Sequence, residues 1–259
     1  MKKSFQVCTN SYKNIIFSPN KDSKVIYREH TFFSDHNEID AHANYWTFGL
    51  FKDVSDKTSI VLSHQKIINF KGSIAIFMPP FSIVEWGLKH GQANWVYLLA
   101  ISQLPHELMH RGPIVVFDVE YDDLLASLPN QQKIIDWIMS QNDFIEIQRK
   151  HYDHIVPLKL KSRIDENFGS SKTIAEMQDE LNYSTTMSSR LFKKCYGLSP
   201  SDYRNQLRMK QASIELLFQG KTIENTLRSV GIEDSSHFHK CFRKYINGTP
   251  SQFRLPQLS

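Results

Sequence analysis

The last hundred residues of this chain state one pattern twice, and that repetition constrains the fold more than any other feature. Arg190-Leu191-Phe192-Lys193-Lys194 followed by Pro200-Ser201-Asp202-Tyr203-Arg204 recurs 50 residues later as Lys240-Cys241-Phe242-Arg243-Lys244 followed by Pro250-Ser251-Gln252-Phe253-Arg254. Self-similarity at such a period means two copies of one supersecondary unit. Each copy assembles from caps and breakers. Thr173 with Glu176 forms a capping box that starts a helix, and Asn182 is the left-handed residue of the turn after it. Ser184 caps a second helix that runs to Tyr196 and stops at Gly197. In the second copy Thr222 opens the first helix, Gly231 ends it, and Asp234 caps a helix reaching Tyr245. Ser199-Pro200 starts a connecting helix, and Thr249-Pro250-Ser251-Gln252 repeats that device. The product is helix, short turn, helix, twice.

The second helix of each copy is two-sided. Phe238, Cys241, Phe242 and Tyr245 form an apolar stripe, with Leu191, Phe192 and Cys195 in matching places. The other faces carry Thr185, Thr186, Ser189, Arg190 and Lys193 in the first copy, and Ser235, Ser236, His239, Lys240 and Arg243 in the second. Hydroxyl and cationic side chains of this kind reach base edges and phosphates. Charge agrees: from residue 155 onward there are 16 Lys and Arg against 10 Asp and Glu, whereas residues 1–154 carry 15 against 17. A basic tail behind a near-neutral front suits a polyanionic partner.

On these residues the segment from about 157 to 255 resembles the DNA-binding domain of the AraC (arabinose-regulator) family. The run from Ser184 through Arg190-Leu191-Phe192-Lys193-Lys194 to Gly197 and Ser199-Pro200 carries the first half of the likeness. Leu207-Arg208-Met209-Lys210-Gln211-Ala212 carries the connecting helix, and Gly231, Asp234, Phe238 and Phe242-Arg243-Lys244 carry the close. The resemblance implies a non-enzymatic, sequence-specific transcription regulator. Two recognition helices would enter successive major-groove segments of double-stranded DNA, about 34 Å apart. Carried over by position, Thr185, Thr186, Ser189, Arg190, Ser235, Ser236, His239 and Lys240 face bases, while Lys193, Lys194, Arg243 and Lys244 meet phosphates. Ser188 departs from the pattern where a leucine is usual, with Met187 expected to fill the gap, and Gln178 and Leu227 stand for the usual alanines.

The front of the chain reads differently. Between Val25 and Val119 short β-branched or aromatic runs alternate with turns: Val25–Tyr27, Asn44–Phe48, Ser59–Leu62, Ile74–Phe77, Trp95–Leu99 and Ile114–Phe117. Pro79-Pro80 closes one of them. From Tyr121 the period becomes helical, with breaks at Pro129 and Ser140-Gln141-Asn142 and with Ile145 and Ile147 in the last helix. The expected fold class is therefore a two-domain α+β protein. A β-rich cupin-like barrel (residues 1–120) precedes a helical dimerisation or linker region (121–154) and an all-α tandem helix-turn-helix domain (155–259). Lys71 to Pro80 resembles the glycine-to-proline turn of such barrels. Trp46, Phe48, Phe77, Trp86, Trp95 and Tyr97 are the candidates for lining an effector site, against the alternative that they fill the core.

One motif points elsewhere. His106-Glu107-Leu108-Met109-His110 matches the His-Glu-x-x-His pattern in which two histidines grip zinc and the glutamate is a general base, so a zinc hydrolase with a basic appendage is the alternative reading. Pro105 and Gly112-Pro113 leave little helix for it. The three scattered cysteines, Cys8, Cys195 and Cys241, suit free thiols in a cytoplasmic protein. No apolar run is long enough to span a membrane, and no cofactor is expected. Besides DNA, the reading admits a small effector, a homodimer and, for an activator, RNA polymerase as partners.

Overall fold

The structure is a computed structural model that describes residues 4–52, 58–62, 66–69, 72–109, 115–146 and 155–254. Lys71, His110, Ile114, Ile147 and the last part, 148–154, of the expected dimerisation or linker region lie outside the described residues. The chain divides into two compact units: Met1–Asp40 with Asn44–Lys150, and Ala41–Ala43 with His151–Ser259.

The first unit contains β1 (Ser4–Cys8), β2 (Tyr12–Asn20), β3 (Ser23–Phe32), β4 (His36–Ala41), β5 (Trp46–Phe51), β6 (Thr58–Leu62), β7 (Lys66–Asn69), β8 (Ile74–Met78), β9 (Ile83–Leu88) and β10 (Gly91–Ala100). After them come α1 (His106–Met109), β11 (Val115–Asp118), α2 (Tyr121–Ser127), α3 (Gln131–Ser140) and β12 (Ile145–Glu146). The strands form an eight-stranded sheet, order β1-β2-β3-β10-β5-β8-β11-β12, and a four-stranded sheet, order β4-β9-β6-β7. The pairings of the large sheet are antiparallel, and β10 lies between β3 and β5 in register Trp95 opposite Arg28 and Tyr97 opposite Gly49.

Side chains alternate across a strand, so register assigns each residue to a face. Trp46, Phe48, Leu50, Phe77, Val96, Leu98 and Phe117 point to the helix-covered face, where Leu124, Leu128, Ile134, Ile135 and Ile138 meet them. The opposite face presents Phe51, Ile74, Ile76, Met78 and Val116, which pack with Val84 of the four-stranded sheet and with Trp86 and Trp95. β8 is buried at every position because it is covered on both sides.

This register corrects the effector assignment. Trp46, Phe48 and Phe77 are fully buried in the core beneath α2 and α3. Trp137 closes edge-on over Phe48 and Phe117, with centroids 5.7 and 5.1 Å apart. These three candidates are packing residues, whereas Trp86, Trp95 and Tyr97 keep partly exposed surfaces. The apolar face of α3 is occupied by the same packing. Ile145 is also corrected: it belongs to a two-residue strand paired with Val116 rather than to a helix.

The second unit is helical: α4 (Ile155–Asn167), α5 (Ile174–Asp179), α6 (Thr185–Tyr196), α7 (Pro200–Gln219), α8 (Ile223–Ser229), α9 (Ser235–Ile246) and α10 (Pro250–Phe253). The expected caps form. The Thr173 and Glu176 box is complete, and Ser184, Ser199, Thr222 and Asp234 each accept from the first turn of their helices. Asn182, Gly197, Gly231 and Asn247 all take positive φ at the stops. The 20-residue α7, about 30 Å long, connects the two helix-turn-helix units.

Two arginines one turn apart on α7 fix it to the end of α4. The Arg204 guanidinium donates to the carbonyls of Asn167, Phe168 and Ser170 at 3.3, 3.0 and 2.6 Å. Arg208 donates to Phe168 and Ser170 at 2.6 and 2.9 Å. These carbonyls belong to a helix end and the turn after it, and cations suit that pole of the helix dipole. Burial, with Arg204 alongside, lowers the Arg208 pKa to about 10, so it remains charged at neutral pH. Gly231, the turn residue of the second unit, sits against the same loop: a Cβ there would lie 2.4 Å from the Gly169 carbonyl oxygen and 2.9 Å from Arg208.

Candidate nucleic-acid interface

Each recognition-type helix is seated by its apolar stripe. In α9, Phe238 and Phe242 are fully buried, with Cys241 and Ile246 beside them. In α6, Phe192, Cys195 and Tyr196 are buried, and Phe192 stacks obliquely on Tyr196 and Tyr203 at 4.7 and 5.6 Å. The gap expected at Ser188 is closed by the serine itself. It is fully buried, and its hydroxyl donates back to the carbonyls of Ser184 and Thr185 at 3.0 and 3.2 Å. Met187 does not fill the gap; one residue earlier on the helix it points away and is 37% exposed. Tyr245 is only half-buried, because its hydroxyl turns out to donate to Asp202 at 2.7 Å.

The opposite faces carry the polar set. Thr185, Thr186, Arg190, Lys193 and Lys194 are exposed on α6, and Ser189 is half-buried. On α9, Ser235, Ser236, Lys240, Arg243 and Lys244 are exposed and His239 is half-buried. The expected base-facing and phosphate-facing residues therefore share a face within each helix. Among the described residues no carboxylate forms an ion pair with Arg190, Lys193, Lys194, Lys240 or Arg243.

Lys244 is different. Its ammonium donates to Tyr245 Oη at 2.9 Å and to Asp202 Oδ1 at 3.2 Å. Those bonds raise its pKa, Tyr245 contributing most. Asp202 is held below the ordinary carboxylate range, chiefly by the Ser199 hydroxyl donating to Oδ2 at 2.7 Å. A cation tied to the start of α7 is less available to a phosphate than its counterpart Lys194.

Two polar residues under the recognition face were not singled out as site residues by the sequence. Gln178, 2% exposed, donates from Nε2 to the Thr185 carbonyl at 3.2 Å and to Ser189 Oγ at 2.8 Å. Asp202 organises the Lys244 cluster just described. A glutamine standing where alanine is usual was the only available signal for the first.

The first unit holds a separate cluster. Arg28 donates from Nε to Asn14 Oδ1 at 2.8 Å and lies over the Tyr12 ring at 4.3 Å, with Tyr97 and Trp95 at 5.5 and 5.9 Å. Burial opposes its charge most, but Tyr97, Tyr12, Asp40 and Glu38 outweigh it and raise its pKa. His30 packs on Phe32 and Trp95 at 4.2 and 5.7 Å. Burial first, then Arg28 and His36, lower its pKa to about 4, so it is neutral at pH 7. The zinc-type motif gives a one-turn helix with His106 and Glu107 exposed and Leu108 buried. Among the described residues no three His, Cys, Asp or Glu side chains are placed to hold a metal ion, and no helix is long and apolar enough to cross a membrane.

Comparison with known proteins bears on both units. Residues 177–255 match the family described as "Helix-turn-helix domain". The Msm operon regulatory protein of Streptococcus mutans is 33% identical over 96 residues, 37% of this chain and 34% of that protein. The raffinose operon transcriptional regulatory protein RafR of Pediococcus pentosaceus is 30% identical over 93 residues, 36% of this chain and 34% of its own length. The matched stretch thus spans about a third of these relatives. Across nearly the whole chain the fold is that of ToxT from Vibrio cholerae. The unsaturated fatty acid-bound structure superposes with a TM-score of 0.55 at 16% identity, covering 93% of this chain and 98% of ToxT.

Proposed function

We propose that this chain, whose C-terminal unit is an AraC-type tandem helix-turn-helix domain, is a sequence-specific DNA-binding transcription regulator controlled by a small carboxylate-bearing effector. The observation that carries the DNA reading is the paired arrangement of α6 and α9. Each buries an aromatic stripe, presents hydroxyl and cationic groups outward, and is joined to the other through α7. Because two helix-turn-helix units let one chain cover two groove segments, neither a homodimer nor RNA polymerase is needed for binding; either adds to it. Base contacts are assigned to Thr185, Thr186, Ser189, Arg190, Ser235, Ser236, His239 and Lys240, and phosphate contacts to Lys193, Lys194 and Arg243. No hydrolytic role is assigned to His106.

Salt dependence tests this reading. Each phosphate contact contributes a slope of about 0.9 in log affinity against log salt. Lys194→Ala is expected to lower the slope by about one ion in titrations of duplex DNA between 50 and 200 mM salt. Lys244→Ala is expected to change it by less than half as much, because its ammonium is already paired with Asp202. A chain whose affinity is independent of salt is not a DNA-binding protein of this kind.

The effector reading rests on Arg28. Only its Nε has a hydrogen-bond partner among the described residues, which leaves the two terminal amino groups for an anion beside Tyr12, Trp95 and Tyr97. A guanidinium binds a carboxylate through two parallel bonds, and aromatic walls suit an apolar tail. ToxT, which shares the fold, has been crystallised with an unsaturated fatty acid and with a butenoic acid derivative. Quenching of tryptophan fluorescence by oleate is the expected signal. Arg28→Met should weaken it about tenfold or more, consistent with loss of a charge-assisted pair worth about 1.5–3 kcal/mol. Unchanged affinity in that variant removes Arg28 from the site.

A further inference from the structure

We infer that the two recognition helices present opposite hydrogen-bond polarity at equivalent positions: Ser189 as a donor, fixed by Gln178, and His239 as an acceptor, fixed by the Ser235 carbonyl. This rests on the DNA-binding reading and adds what each helix selects.

A serine in a helix ordinarily turns its hydroxyl back to the carbonyl four residues earlier. Ser188 does so, donating to the Ser184 carbonyl. For Ser189 the corresponding carbonyl is that of Thr185, and Gln178 Nε2 already donates to it at 3.2 Å. A carbonyl can only accept, so this bond fixes which end of the buried amide faces α6. The same Nε2 carries a second hydrogen, directed to Ser189 Oγ at 2.8 Å. One of the two lone pairs of the serine oxygen is thereby taken up by the protein, and its own hydrogen is left to donate away from it. Gln178 is therefore a positioning residue that sets the polarity of a neighbour.

The position 50 residues later is His239. Its Nδ1 lies 2.8 Å from the carbonyl oxygen of Ser235. Again the carbonyl accepts, so Nδ1 carries the proton, and in the neutral ring Nε2 is a bare acceptor. At matching places the first helix offers O–H and the second offers a nitrogen lone pair. In the major groove a donor suits guanine N7 and O6, adenine N7 or thymine O4 and is opposed by the cytosine amino group. An acceptor suits the amino groups of adenine and cytosine.

Selection from a randomised duplex pool with the full chain at pH 8 tests this. One base position in the wild-type site is expected to exclude cytosine about tenfold, and another, about one helical turn away, to favour adenine or cytosine. Gln178→Met keeps the volume of the buried side chain but donates nothing. It should flatten the first preference to within about twofold and leave the remaining positions unchanged. Ser189→Ala should flatten that same position, and combining the two should add nothing. His239→Ala should flatten only the second position. Circular dichroism matching wild type establishes that each variant is folded; should Gln178→Met unfold, Gln178→Ala, which restores the residue usual in such domains, replaces it. Uniform loss of affinity on all sequences, or an unaltered preference, with Gln178→Met overturns the inference while leaving DNA binding intact. A wild-type chain that enriches no sequence overturns both readings.

Discussion

Gly231→Ala is expected to destabilise the C-terminal unit by about 2–5 kcal/mol, read as a fall in the urea midpoint of its helical circular dichroism. Two costs combine. Gly231 has φ +72°, a left-handed conformation that costs an L-residue about 1–2 kcal/mol. The added methyl would also sit 2.4 Å from the Gly169 carbonyl oxygen, with Arg208 at 2.9 Å. Overpacking of this kind costs a further 1–3 kcal/mol or so. Relief would require moving the loop whose carbonyls Arg204 and Arg208 hold. Gly220 separates the two costs. Its φ is +59°, and nothing lies within 4 Å of a Cβ there. Gly220→Ala should therefore show the conformational cost alone, about 1–2 kcal/mol. Equal losses in the two variants would mean that the loop accommodates the methyl, and that the second turn is not locked to the end of α4.

Arg190→Ala is expected to weaken binding to the selected DNA site by about 10–100-fold, while affinity for random duplex falls by only a few-fold. The guanidinium is exposed on α6 without a carboxylate partner among the described residues, so no internal ion pair competes for it. Its fork can make two bonds to guanine O6 and N7, a contact worth about 1–3 kcal/mol of discrimination. Arg190→Lys keeps the charge and loses the fork. It should recover random-DNA affinity and leave most of the specific loss in place, measured by competition binding at fixed salt. Equal losses on both kinds of DNA would assign Arg190 to the phosphate backbone instead.

The parts of this molecule that were legible in its sequence are those whose physics is local. Ser184, Asp234, Thr173 and Ser199 announced their helices because a cap depends on residues two or three positions away. Asn182, Gly197 and Gly231 announced the stops because few residues tolerate positive φ. The polar faces of α6 and α9 followed from helical period alone. What escaped was set by partners distant along the chain. Trp46, Phe48 and Phe77 were grouped with Trp95 and Tyr97 because all are aromatic. Only the register of β5, β8 and β10 shows that the first three face α3 and the others do not. Gln178 looked like a defect because its two acceptors lie across a turn. Lys244 looked like its counterpart Lys194 because Asp202 approaches it from another helix. The strand β2 was overlooked because Lys13, Asn14, Ser18 and Pro19 dilute its apolar residues.

The order of strands in the large sheet has a consequence for how the chain is made. β1, β2 and β3 are consecutive neighbours, so they can pair as soon as they leave the ribosome. The other edge of β3 belongs to β10, which begins at Gly91, whereas β3 ends at Phe32. Throughout synthesis of the intervening segment, the backbone donors and acceptors on that edge, over a strand carrying Val25 and Ile26, lack their native partner. An open apolar edge of this kind templates pairing with other chains. The helical unit, made after the sheet and built largely from near neighbours in sequence, carries no such delay. The vulnerable period in the life of this protein therefore comes before any residue of α6 or α9 has been translated.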